Sequence, residues 1–163
     1  MLMPLIPIFR SISLPLGAGL AAAALLAGCV GGPSGGGLAP GLTQPINASG
    51  AQMDRVAALS IVNQYRSVRG VSALAADAGL DAQAQTLASQ YAGTGTPPSL
   101  PAGLTAMRLS AGYENFAETF SGWRNSPADA DALASGSARR AGFAAVYNPN
   151  SAYGTHWVMV LAQ

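Results

Sequence analysis

The stretch "THWVMVLA", residues 155–162, decides the fold. Along an extended backbone successive side chains point to opposite faces, so His156, Val158 and Val160 share one face and Trp157, Met159 and Leu161 the other. Both faces are apolar. A strand of this kind needs cover on each side and belongs in the middle of a sheet. Its partner lies just upstream in "AGFAAVY", residues 141–147, and the intervening "NPNSAYG" holds the Asn, Pro and Gly that suit a turn. The chain is therefore expected to end in an antiparallel hairpin.

The covering layers are read from the helical periodicities before it. In "MDRVAALSIVNQYRSVRG", residues 53–70, Ala58, Ile61, Val62 and Tyr65 fall on one helical face, and Gly70 is placed to end the helix. In "DAGLDAQAQTLASQYAG", residues 77–93, Ala84, Leu87, Ala88 and Tyr91 do the same, with Gly93 as the stop. The segment 94–104 carries Pro97, Pro98 and Pro101 and reads as a loop, and "AMRLSAGY", residues 106–113, as a weakly alternating strand. In "ENFAETFSGWRNSP", residues 114–127, Phe116, Phe120 and Trp123 form an aromatic stripe on a helix over 114–125. Ser126 and Pro127 resemble an N-cap and a first-turn proline opening a short helix through "ADADALAS". Helices first and a closing hairpin last predict an α+β fold, a three-layer α-β-α sandwich around a small, mostly antiparallel central sheet.

Composition narrows the function classes. Charged residues are 9% of the chain and the formal net charge is +1, so no basic footprint for nucleic acid is present. All eight basic residues are arginines. The single cysteine, Cys29, follows Arg10 and the apolar run "SISLPLGAGLAAAALLAG", and "LAGC", residues 26–29, resembles a bacterial lipobox. On that reading residues 1–28 are a signal peptide, Cys29 is lipidated, and residues 29–50, rich in Gly and Pro, are a tether spanning roughly 25 Å. Residues 51–163 are the folded domain. An ordinary signal peptide and an uncleaved membrane helix are the alternatives, but the run is short for a span and Pro15 and Gly17 interrupt it. Cleavage would remove the leader and leave no free thiol for catalysis. Val30 is not the aspartate associated with inner-membrane retention, which by analogy favours the outer membrane in a Gram-negative host.

Four segments carry a resemblance. "IVNQYRSVRGVSALAADAGLDAQAQTLASQYA", "GWRNSP", "RRAGFAAVYNP" and "YGTHWVMVLA" resemble, in order, the opening helix pair, the Gly-Trp-x-x-Ser-Pro segment and the final hairpin of the CAP superfamily, also called the SCP domain. The resemblance implies a cleft lined by two histidines and two acidic residues, able in some members to hold a divalent metal. Carried over position by position, the first histidine falls on Leu87. The Gly-Glu-Asn glutamate falls on Glu114 by literal matching or on Met107 by helix register, and the second register is preferred because it keeps the aromatic stripe intact. Ser126 and Asp129 take the positions after the tryptophan, and His156 matches the last histidine.

The expected site is therefore depleted. One imidazole with one carboxylate falls short of the three protein ligands of a catalytic zinc, so no cofactor is expected beyond a weak metal option at His156. Two main readings of function follow, beside a third in which the chain is a structural envelope lipoprotein whose likeness to the family is incidental. The first is a membrane-anchored binding or interaction module, non-catalytic, for an envelope partner or a hydrophobic ligand such as a lipid. The second is a hydrolase-like enzyme with a reduced site on His156 assisted by Asp129, Glu114 or Glu118. Glu114 and Glu118, one helical turn apart, otherwise form a solvated face favoured by the helix dipole. The pair Arg139-Arg140 reads as a loop cap or a contact for an anionic ligand.

Overall fold

The computed structural model describes residues 37–163. Signal peptide, lipobox and the anchor at Cys29 lie outside the described residues. The elements run α1 (Pro40–Thr43), α2 (Arg55–Val68), β1 (Ala75–Ala76), α3 (Ala78–Thr94), β2 (Ala106–Ala111), α4 (Phe116–Asn125), α5 (Pro127–Leu133), β3 (Arg140–Tyr147) and β4 (Thr155–Ala162). Among the described residues no helix is long and apolar enough to cross a membrane.

The sheet order is β1-β3-β4-β2. β4 lies inside it, antiparallel to β3 on one side and to β2 on the other, while β1 pairs in parallel with β3. Every residue of β4 is buried. Its two faces enter two separate apolar clusters, as the alternation requires. Val158 and Val160 pack with Leu80, Ala84, Leu87 and Ala88 of α3. Trp157, Met159 and Leu161 pack on the opposite side with Val62 of α2 and Phe116, Phe120 and Trp123 of α4. The three-layer α-β-α sandwich expected from sequence is present, with its sheet mostly antiparallel.

Local chemistry sets the element ends. Asp54 accepts from Ala57 N at 2.9 Å and Asp77 from Leu80 N at 3.0 Å, capping α2 and α3. The αL residue that ends α3 is Gly95, at φ 69°, so the helix runs past Gly93. Pro127 opens α5 at its first position, but Ser126 makes no side-chain cap. The helix predicted to begin at residue 114 begins at Phe116, capped by Asn115, whose side chain accepts from Glu118 N at 3.0 Å.

The tether boundary is corrected by packing. Composition places residues 37–50 in the Gly/Pro-rich tether, yet α1 lies here and Leu42 and Ile46 are 4% and 1% exposed. Ile46 N donates to Glu114 O at 2.7 Å, and the Thr155 hydroxyl donates to Ile46 O. Two apolar side chains in a polar, breaker-rich segment suffice to fix it, so the packed unit takes in Leu42 and Ile46, ahead of residue 51. Strand β1 is a second feature that the sequence reading did not contain.

Candidate functional site

The face of β4 toward α3 holds three of the positions singled out from sequence. Met107 of β2 stands opposite Val160, and Met107 and Leu87 belong to one apolar cluster, each 8% exposed. His156 stands on the same face, opposite Ala111 and Val146 in the flanking strands. It has no exposed surface. The edge of Tyr91, one turn beyond Leu87 on α3, meets its ring at a centroid distance of 4.7 Å. Its Nε2 lies 3.3 Å from Ser151 Oγ, and its Nδ1 has no hydrogen-bond partner among the described residues.

Burial governs the chemistry of this imidazole. Removal from water disfavours the charged form and lowers its pKa below the ordinary histidine value, an effect that the Gly154 backbone only partly offsets. The ring is neutral near pH 7. Ser151, in the turn between β3 and β4, also accepts from Tyr153 N at 3.2 Å, so the histidine pins a loop. Ser151 was not singled out from sequence. Its one signal is position, five residues before His156 in a turn-forming segment.

The carboxylate expected to assist His156 is elsewhere. Asp129, in α5, takes a hydrogen bond from Arg108 Nη1 at 2.5 Å. Arg108 stands opposite Met159 in the β2–β4 register, so it faces the α2 and α4 layer, whereas His156 is an odd number of positions from Met159 and faces α3. The sheet separates the two side chains, and the proposed His156–Asp129 pair does not form. Ser126, half-buried at the start of α5, lies in the same helical layer as Asp129.

Glu114 and Glu118 are both exposed. Glu118 Oε2 accepts from Glu114 N at 3.4 Å while Glu118 N donates to the Asn115 side chain, a variant of the capping box in which the acid reaches one residue past the cap. The two acids serve a helix start and a wet face. Arg139 and Arg140 also have structural partners: Arg139 Nη1 donates to Gly136 O at 2.6 Å, and Arg140 donates to Gln163 O and to Asp77.

The residues do not fit a metal. Leu87 and Met107 present no anionic or imidazole donor beside His156, and among the described residues no group of three or more His, Cys, Asp or Glu side chains could hold an ion. The arrangement can fix a loop and exclude water, and it leaves one neutral nitrogen, Nε2, within reach of one hydroxyl.

Comparison with known proteins agrees with this architecture. The sequence profile of the Cysteine-rich secretory protein family (CAP) matches residues 59–161. Similar solved structures include MpPR-1i, at 19% identity and a TM-score of 0.53, covering 63% of this chain and 85% of that one. Another is an extracellular protein containing an SCP domain from Bacillus anthracis str. Ames, at 16% identity and a TM-score of 0.53, covering 65% of this chain and 39% of that one. A cysteine-rich secretory protein from Staphylococcus aureus subsp. aureus Mu50 matches at 11% identity and a TM-score of 0.50, covering 66% of this chain and 38% of that one. This chain thus spans well under half of the two bacterial proteins, and at these identities the likeness concerns the fold. No curated protein matches the sequence. The helix pair, the β3–β4 hairpin at the centre of the sandwich and a profile match over residues 59–161 together make this chain a member of the CAP family.

Proposed function

We propose that the chain is a lipid-anchored, extracytoplasmic CAP module that binds an envelope partner or a lipid and catalyses no reaction. One observation carries the reading. Where the family resemblance implies a polar cleft, Leu87 and Met107 belong to one apolar cluster, His156 has no exposed surface, and Asp129 is paired to Arg108 across the sheet. General acid-base work needs a titratable group within hydrogen-bond reach of a substrate. Anchoring at Cys29 is supported by the lipobox-like "LAGC". An extracytoplasmic place is supported by the similarity to an extracellular SCP-domain protein, and the outer membrane by Val30.

The test is calorimetric titration of zinc into the full chain beside a His156→Ala variant. The proposal expects no saturable binding to either. Micromolar one-to-one binding that the substitution abolishes would overturn it in favour of a retained metal site.

A second reading, a hydrolase-like centre, has one observation behind it. His156 Nε2 and Ser151 Oγ are 3.3 Å apart, just beyond the about 2.6–3.2 Å of a nucleophile and its base and within the looser spacing of an unliganded site. Labelling by a fluorophosphonate that is lost in both Ser151→Ala and His156→Phe would establish that centre. No labelling of the native chain would remove it.

A further inference from the structure

We propose that the outer face of α2, with α1 and α4 beside it, docks onto the bilayer that holds the anchor. The inference rests on the anchored reading of Cys29 given above. Val56 and Val68, near the two ends of α2, are 81% and 86% exposed, and Leu38 is 54% exposed. Twelve helical positions separate the two valines, a rise of about 18 Å. Single exposed apolar side chains are ordinary on a protein surface, but these three border adjoining grooves that share Leu38, Ile61 and Gln64. Two grooves join them. One is lined by Leu38, Leu42, Val56 and Ile61, the other by Leu38, Ile61, Tyr65, Val68 and Phe120.

The occupant follows from where the chain leaves this face. Gly37 and Leu38 line the first groove themselves. Gly37 stands only eight positions after Cys29, because residues 37–50 are packed and no longer serve as tether. Eight residues reach about 28 Å fully extended and about 15 Å on average. A packed unit of this size has a radius of gyration of about 14 Å. The link is thus about as long as the unit's own radius, and a lipid on Cys29 brings the rim at Leu38 closest to the membrane. The α3 layer, across the sheet, stays away from it. Asp54 lines the first groove and Arg124 the second, so their opposite charges give no preference for anionic headgroups. The contact is apolar and interfacial, of the kind a shallow amphipathic surface makes with the boundary of headgroups and acyl chains.

The experiment uses the full chain, purified from the membranes of a bacterial host that processes lipoproteins and reconstituted into phosphatidylcholine vesicles with brominated acyl chains. Val68→Trp reports from the proposed face and Gln85→Trp, exposed on α3, from the opposite layer, each read against the native Trp123 and Trp157. The expected result is blue-shifted emission and bromine quenching of the reporter at 68 alone. Adding Val56→Asp, at a position too exposed to disturb the core, should diminish that quenching. Equal quenching at both positions, or none at 68 on a chain carrying diacylglycerol at Cys29 by mass spectrometry, overturns the docking and leaves the anchor standing. Quenching at 68 with an unmodified Cys29 overturns the anchored reading instead and supports the face as membrane-binding. Absent quenching with a dimer in analytical ultracentrifugation reassigns the face to a second copy of the chain.

Discussion

Two buried polar side chains carry the most information per atom. His156 is the chain's one histidine, so a pH effect on stability between 5 and 7 has a single side-chain source. Its folded pKa is lowered, so the unfolded state takes up the proton first as pH falls. Its contribution to stability is therefore full above the ordinary value near 6.5 and is lost as pH drops below it. Thermal unfolding of the native chain should shift to lower temperature from pH 7 to pH 5, and the shift should shrink in His156→Phe. An identical slope in both proteins would mean that another group controls it.

Arg66 is the other. It has no exposed surface and, among the described residues, no carboxylate partner, and donates instead to the carbonyls of Ser72, Leu133, Ser135 and Ala138. It thereby terminates α5 and ties that helix to the loop before β3. Burial, with Arg139 adding repulsion, pulls its pKa down from the usual arginine range. Arg66→Leu leaves several buried acceptors unpaired and should cost about 3 kcal/mol or more in chemical denaturation. Arg66→Lys should lose less, because an ammonium keeps the charge but not the planar fork. The signal for its burial was in the sequence, since 58, 62 and 66 stand at i, i+4 and i+8 on the apolar face of α2. A charged residue there reads as a helix end until its four carbonyls are seen.

At the scale of elements, contact between α3 and β3 is unusually close. A Cβ placed on Gly142 would run into the backbone of Leu80 and Asp81. Phe143 N also donates to Asp81 Oδ1 at 2.8 Å, so the first turn of α3 rests on the strand. Gly142→Ala should cost about 3 kcal/mol or more, because backbone cannot yield as a side-chain tip can. An unchanged denaturation midpoint would contradict that packing. The face alternation of residues 155–162 was legible because a two-sided apolar strand has one location in a sheet. β1 was not: Ala75 and Ala76 are exposed, and two alanines carry no periodicity. The cleft was legible only as a set of missing polar groups. That Asp129 and His156 lie on opposite sides of the sheet depends on the β2–β4 register, which no local pattern reveals.

For the molecule as a whole, the entry segment is structural. Ile46 sits in the α2, α4 and β4 core although its neighbours are Gln, Pro and Asn. Ile46→Ala should destabilise the chain by about 2–5 kcal/mol, the range for emptying a buried branched site. A change within error would return residues 37–50 to the role of tether. Composition alone concealed the segment, because two apolar residues among glycines and prolines lie below any periodic signal.

The same segment has a mechanical consequence. A pull on the N-terminus would reach the buried Leu42 and then the hydrogen bonds at Ile46, to Glu114 O and from Thr155, before it reached the sheet. If Cys29 carries the proposed lipid and a partner holds the domain, tension would peel away residues 37–46 before the sandwich yields, releasing about 30 Å of additional chain. The domain would then behave as a load on a short leash with a reserve, giving way at its entry strap while its three layers stay closed.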